Sequence, residues 1–354
     1  MKMFKDIKIV ELASVLAGPL VGTFFSELGA NVVKIENKTT GGDITRKWKL
    51  SSEAKEDISA YYASANYNKS VLMLDLSLGT DYQKAISEIQ TADIVIANFK
   101  HGDASKFLLD YETLKKYNPT IIYGEINGYG TNVKRAAFDV VLQAETGFMY
   151  MNGNDTSGPI KMPVALIDVL AAHQLKEALL CALIKKLKTN EGSHVSVSLY
   201  DTAISSLANQ ATNWLMAKHI AEPMGTKHPN IAPYGDMFLT QDKKHIVLAV
   251  GSNKQFNSLC TVLNLEDEKF NKKFIDNVSR VKNRNDLSLI LKDKFQLLNA
   301  KKIMKVFIDN NVPVGIVKNM KEVFESNLAQ ELIIKEKING QVLTKIKTVV
   351  FKMN

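Results

Sequence analysis

Two features of this sequence have residue types suited to chemistry: a carboxylate at the start of a long helical run, and one tight glycine-proline turn. Asp168 precedes VLAAHQLKEALLCALIKKLK, whose apolar residues recur at helical spacing. An aspartate with an ordinary pKa of about 3.9 is ionised at neutral pH, so it can attack an electrophile without a base to activate it. Standing just before a helix, it would also feel the positive end of the helix dipole, which favours the anion. The same placement suits a plain N-cap, where Asp is a preferred residue. On these residues alone both roles stay open. The turn SVLAGP ends one strand-like run and opens a helix. It presents backbone N–H groups at the carboxyl edge of a sheet, where open α/β sheets take anionic ligands. Gly18-Pro19 also reads as an ordinary helix start with proline in the first turn. Neither a GxGxxG nor a GxxxxGK[ST] pattern accompanies the turn, which weakens hydride and phosphoryl transfer as readings.

The elements that must position these residues alternate strand and helix. KIVELAS, NVVKIE, SVLMLDLS, DIVIANF and TIIYGEINGYG read as strands, and between the first two Leu20, Val21, Phe24, Phe25 and Leu28 mark a helix closed by Gly29. Alternation through about residue 130 predicts a doubly wound α/β sheet with right-handed crossovers. A helix is predicted from Asp139 to Gly147, then the long helix after Asp168, a strand at SHVSVSLYD and one helix over TAISSLANQATNWLMAKH. The Pro- and Gly-containing loop MGTKHPNIAPYGDM marks a boundary. Beyond it MFLTQDKKHIVLAVG predicts a hairpin turning at Gln241–Lys244, and GQVLTKI with TVVFKM a last strand pair.

Composition narrows the function classes. The chain has 354 residues, 45% of them hydrophobic and 23% charged, enough for two lobes and against wholesale disorder. No apolar run approaches the roughly 18–20 residues of a membrane span, and the charged opening MKMFKDIKIVELAS is unlike a secretory signal. A cytoplasmic protein without membrane association is expected. Cys181 and Cys260 lie in apolar helical patterns and are expected as two buried thiols; with six histidines and no HxxxH pair, no metal is expected. The formal charge is +8, but the lysines alternate with acids in stretches such as EDEKFNKKFIDN and around Lys301–Lys305. That pattern suits solvated helix faces. No zinc-finger, basic-zipper or RNP-like signature accompanies it, so nucleic acid is not an expected partner.

VELASVLAGPLVGTFFSELGANVVKIE resembles the opening of the class III CoA-transferases of the CaiB/BaiF type, the family that includes formyl-CoA and carnitine CoA-transferases and α-methylacyl-CoA racemases. The resemblance continues in the family's order through GGDITRKW, NKSVLMLDLS, ADIVIANFKHG, NPTIIYGEINGYG, FDVVLQAETGFM, LIDVLAAHQ, GSHVSVSLYDTA, HPNIAPYG, LAVGSNKQF and VPVGIV, nearly the whole chain. It implies that Asp168 is the catalytic nucleophile, forming first an acyl anhydride and then a CoA thioester. It implies CoA contacts from Val15, Leu16 and Ala17 to the pantetheine and from Leu74, Asp75, Leu76 and Ser77 to the adenosine. Asn98, Phe99 and Lys100 would lie nearby, and Arg135 and Asp139 would flank the cofactor. Lys106 stands where the family places an arginine on the phosphates; lysine keeps the charge but not the bidentate fork. Asn37 replaces another family arginine, with Lys38 beside it as a substitute. Trp48 and Tyr61 match aromatic positions near the thioester. His228 lies in a loop that either reaches the acyl group or is ordered by its own hydrogen bond.

The resemblance further implies acyl-CoA and small carboxylic acids as substrates, with no permanently bound cofactor. The implied fold is a Rossmann-like large domain over residues 1–227, a smaller α+β domain over 228–312 and a return over 313–354. An interlocked homodimer is implied, with connectors near 195–228 and 312–335. Many relatives continue beyond the equivalent of VVFKMN with a PLGxHT-like motif. Racemases of the family carry histidine where this chain has Phe138, and a phenyl ring offers no lone pair for proton exchange at carbon. Transfer is therefore the expected reaction, with a 2-methylacyl-CoA racemase or epimerase and a non-catalytic CoA-binding protein as alternatives.

Overall fold

The computed structural model describes residues 2–130, 133–154, 156–265, 267–338 and 340–353. It divides into two compact units: one of Met1–Met149, Lys161–Ala221 and Gln330–Asn354, the other of Tyr150–Ile160 and Glu222–Ala329.

The first unit is built on six parallel strands, β1 (Lys8–Leu12), β2 (Asn31–Asn37), β3 (Ser70–Leu74), β4 (Ile94–Ala97), β5 (Ile122–Asn127) and β6 (Ser193–Ser198). Their order is β3-β2-β1-β4-β5-β6, with every pairing parallel. This is the doubly wound order, whose direction reverses between β1 and β4. Successive side chains of a strand point to opposite faces, and a parallel sheet is covered on both. Accordingly Ile9, Ile94 and Ile96 join one core with Val21, Phe25, Ala171 and Leu175. Val10 and Val95 face the other way, into a core with Ile86, Ile89 and Leu114. Helices α1 (Ala17–Glu27), α2 (Ala60–Ala65), α3 (Gly79–Gln90), α4 (Asp139–Glu145) and α5 (Leu166–Thr189) belong to this unit.

Helix α1 rides close on β1 because glycine faces the strand. A Cβ on Gly18 would stand 2.4 Å from the Cβ of Ala13, and one on Gly22 would stand 1.9 Å from Glu11 Oε2. The segment predicted as one helix after β6 divides into Leu199–Ser205 and Ala208–Ala217.

In the second unit β7 (Tyr234–Leu239), β8 (His245–Ala249) and β9 (Val314–Ile316) form an antiparallel sheet in the order β9-β8-β7, the first two being the predicted hairpin. Phe238, Ile246, Leu248, Leu259, Leu291, Phe295 and Phe307 form its core. β9 pairs with β8, and this unit runs through Ala329.

The last strand pair differs from expectation. β10 (Ile333–Ile338) pairs with β11 (Gln341–Ile346), while TVVFKM forms no strand. The Thr348 and Val349 N–H groups donate instead to the Glu27 carboxylate, each at 2.9 Å. Cys260 is buried as expected, but Cys181 is exposed: it lies on the outward side of α5, opposite the apolar residues that meet the sheet. Among the described residues no helix is long and apolar enough to cross a membrane.

Candidate active site

The turn after β1 is held in an unusual backbone conformation. Val15 has φ +72°, a left-handed geometry that a β-branched residue adopts only when its surroundings over-determine it. The surroundings do so here. The Val15 N–H donates to the Asp43 carboxylate at 3.1 and 3.3 Å. The Ser14 N–H donates to Asn98 Oδ1 at 3.0 Å, and Asn98 Nδ2 donates back to the Ser14 carbonyl at 2.8 Å. That exchange bridges the ends of β1 and β4, where the strand order reverses and open sheets bind their ligands.

Asp43 is anchored from beneath. It accepts from Thr45 N–H at 3.0 Å and Thr45 Oγ1 at 2.8 Å and lies 3.1 Å from Lys34 Nζ. Lys34 is also 2.9 Å from Glu11 Oε1 and donates to the Ala13 carbonyl at 2.8 Å. Lys69 completes the chain at 2.7 Å from Glu11 Oε2, donating as well to the Pro19 and Ala65 carbonyls at 2.8 Å. Two acids and two bases are thus fully buried beneath the turn. Burial opposes the Lys34 ammonium, yet Glu11 and Asp43 outweigh it and hold its pKa above the lysine norm. Burial raises the Asp43 carboxyl, but Lys34 and the Thr45 hydrogen bonds more than offset it and keep the carboxyl below its ordinary value. Lys69 is lowered, burial prevailing over Glu11. None of Glu11, Lys34, Asp43 and Lys69 was singled out from the sequence. The signal was a charge inside each of the strand runs KIVEL and NVVKIEN: a parallel strand covered on both faces can hold an ion only if it is paired.

The remaining cofactor-binding candidates lie largely along the same carboxyl edge. Val15, Leu16 and Ala17 follow β1, Leu74–Ser77 end and follow β3, and Asn98, Phe99 and Lys100 follow β4. Asp75 is occupied in a local turn, accepting from Ser77 N–H at 3.0 Å and Ser77 Oγ at 2.7 Å. Lys100 and Lys106 are exposed, and Lys106 Nζ lies 5.7 Å over the Phe107 ring. Arg135 is already engaged: it pairs with Glu145 and lies 4.8 Å over the Tyr129 ring. Asn37 accepts from Thr39 N–H at 2.9 Å, and Lys38 is exposed. His228 belongs to the second unit, where its Nδ1 accepts from the Asn230 N–H at 3.1 Å, the loop-ordering role.

Asp168 differs from its sequence-based placement. It is the third residue of α5 rather than its predecessor; Ala165 holds the cap position and no side chain caps the helix there. Asp139 takes over part of that task from a distance. Its Oδ1 accepts the Ile167 N–H at 2.8 Å, and its Oδ2 accepts from Gln143 Nε2 at 2.6 Å. The buried Gln143 is fixed in turn by the Met162 N–H at 2.8 Å. The first turns of α4 and α5 are thereby tied together. The Asp168 carboxyl is half-buried and accepts no hydrogen bond from the described residues. Burial, and then the neighbouring Asp139 charge, push it up to about 7. The expectation of an ordinary value is corrected here, because desolvation and a like charge both act against the anion.

Tyr61 lies within electrostatic reach of this carboxyl: burial, then Asp168 and Asp139, raise its hydroxyl above the ordinary value. Trp48 meets Tyr61 edge-on at 5.0 Å between ring centroids and is itself exposed, not core. Phe138, immediately before Asp139, is 65% exposed and brings no titratable group. Among the described residues no three His, Cys, Asp or Glu side chains gather as a metal would require. The arrangement offers a desolvated, uncommitted carboxyl within electrostatic reach of Tyr61, in a unit whose sheet edge is built around a tightly held turn.

The family model described as CoA-transferase family III matches residues 4–354. The chain is 32% identical to a succinate–glutarate CoA-transferase of Agrobacterium fabrum, over 97% of this chain and 87% of that one. It is 34% identical to the human succinyl-CoA:glutarate CoA-transferase, over 91% and 73%. Among solved structures it is similar to a CaiB/BaiF family protein from Brucella suis, with a TM-score of 0.85 and 31% identity, covering 98% of this chain and 91% of the other. Sequence motifs, sheet topology and these likenesses converge on one assignment: the chain belongs to the class III CoA-transferase family.

Proposed function

We propose that this enzyme moves CoA between short dicarboxylic acids through covalent anhydride and thioester states of Asp168. An Asp168 carboxylate oxygen attacks the thioester carbon of the acyl-CoA, the C–S bond breaks, and CoA leaves as its thiolate. The thiolate then attacks the Asp168 carbonyl carbon of the resulting anhydride, releasing the first acid as a carboxylate and leaving an aspartyl-CoA thioester. The acceptor carboxylate attacks that thioester carbon to form a second anhydride, and the expelled thiolate attacks the acceptor's acyl carbon. New acyl-CoA and free Asp168 result. No proton or electron is gained or lost overall.

The observation that carries this reading is the environment of Asp168. A carboxylate stripped of hydrogen bonds and much of its water is a stronger nucleophile and a poorer leaving group than a solvated one. With its pKa near 7, its basicity approaches that of a thiol, about 8.5. The energy gap between anhydride and thioester narrows accordingly, and a reversible exchange needs closely spaced intermediates. The dicarboxylic class is supported by the names of relatives that transfer CoA to glutarate, mesaconate or oxalate.

Mass spectrometry of enzyme quenched during turnover with succinyl-CoA and glutarate is expected to find an acyl or CoA adduct on the peptide holding Asp168. Asp168→Ala is expected to abolish both adduct and exchange. Undiminished exchange by that variant would falsify the mechanism.

A further inference from the structure

A second feature of α5 has no part in the covalent chemistry. Val169, His173 and Lys176 recur at helical spacing along one face of the helix, and with Leu20, Ala60 and Thr348 they line a cleft of about 460 Å³. Val169 is the residue after Asp168, and Ala60 is the residue before Tyr61. The cleft is therefore lined by the immediate chain neighbours of Asp168 and Tyr61, on two separate segments of chain.

Lys176 is 6% exposed and forms no hydrogen bond or ion pair among the described residues; its Nζ lies 5.3 Å over the Phe24 ring. Glu27 on α1 and the adjoining Glu177 are the acids within electrostatic reach of it, but neither pairs with it among the described residues, and the Glu27 carboxylate is already taken. It accepts from Lys345 Nζ at 2.7 Å and from the Thr348 and Val349 N–H groups at 2.9 Å. Lys345 and Lys347 also line the cleft, adding positive charge. A buried ammonium left without an anion is costly, and proteins seldom keep one without a use.

Resting on the dicarboxylate reading above, we propose that this cleft receives the remote carboxylate of a dicarboxylic acyl group, with Lys176 as the cation that binds it. The length fits. Asp168, which would carry the acyl group, and Lys176 are separated by about 12 Å of helix rise, and a helical lysine leans back toward the N-terminus, which shortens the reach. Burial lowers Lys176 to about 8, so an arriving carboxylate would restore the charge that desolvation disfavours. A monocarboxylic acyl group of equal length would leave the ammonium unpaired and bind less well, which turns the unpaired cation into a source of selectivity.

The test compares glutarate with valerate, its equal in length with one carboxylate fewer, as acceptors of CoA from succinyl-CoA. Lys176→Met is expected to lower the glutarate-to-valerate ratio of kcat/KM about tenfold or more, mainly through KM for glutarate. Lys176→Arg is expected to recover much of it. Ala60→Glu, at an exposed position of the cleft, is expected to lower the same ratio by repulsion, and it decides the matter should Lys176→Met fold poorly. Equal losses on both acids, or an unchanged ratio in both variants, would overturn the subsite while leaving the transferase intact. Absence of exchange to either acid by the unmodified enzyme would overturn the transferase reading itself, and the subsite with it.

Discussion

At the scale of single residues, the conflict between the role proposed for Asp168 and where it sits sets the expected pH behaviour. Its folded pKa of about 7 lies above the unfolded value of about 3.9. The attacking form is the anion, so kcat/KM is expected to rise with pH, reach half its plateau near 7 and then level off. Asp139→Asn keeps an acceptor for the Ile167 N–H but removes the like charge, and should move that midpoint to lower pH. A midpoint that stays put or rises would show that Asp139 does not act on Asp168 electrostatically. The linkage to stability has the opposite sign. Between about pH 4 and 7 the native state holds a proton that the unfolded chain has released, so this group's contribution to stability falls as pH rises. Asp168→Asn removes that loss. The melting temperature of the variant relative to the unmodified enzyme should therefore increase from pH 5 to pH 8, and no change with pH would contradict the shift.

At the scale of elements, the close fit of α1 on β1 and the ion chain Lys69–Glu11–Lys34–Asp43 serve one turn. The chain is expensive to bury and is repaid only while complete. Lys34→Met leaves Glu11 and Asp43 without their shared cation, and denaturant unfolding should show a loss of about 3–5 kcal/mol. Asp43→Ala releases the Val15 N–H from its acceptor, and the left-handed backbone at Val15 loses its support. KM for acyl-CoA is expected to rise about tenfold with a smaller change in kcat; an unchanged KM would mean that the turn holds its shape without Asp43. Much of this level was legible. The strand–helix alternation places β1 to β5 closely, because a parallel sheet covered on both faces demands continuous apolar runs. The β10–β11 hairpin was missed although Asn339-Gly340, a strong hairpin dipeptide, stands between its strands in the sequence. The apolar run TVVFKM drew the assignment instead, and only the acceptor at Glu27, more than 300 residues away in sequence, takes its first amides out of strand pairing.

At the scale of the whole molecule, the helix Ala208–Ala217 exposes Trp214, Leu215 and Met216, and Ile220 follows just beyond it. A monomer rarely leaves so many large apolar side chains together in water. Together with the homodimer that the sequence resemblance implies, this leads us to expect a homodimer. Light scattering should report twice the 39.4 kDa chain mass, and a monomeric mass at micromolar concentration would refute it.

What the sequence determined by itself was the class of fold, and its resemblance to a known family singled out the carboxylate to examine. Periodicity is a local property, and an ordered set of motifs spanning the chain leaves little freedom in topology. It also showed through Phe138 that the histidine of the racemases is missing. Only the tertiary structure decided the state of that carboxylate. Desolvation, the Asp139 charge and the proximity of Tyr61 come from segments up to about a hundred residues away, and no spacing rule encodes their distance. The same holds for the ion chain under the Val15 turn and for Lys176, a lysine indistinguishable in sequence from its solvated neighbours until folding buries it without an anion.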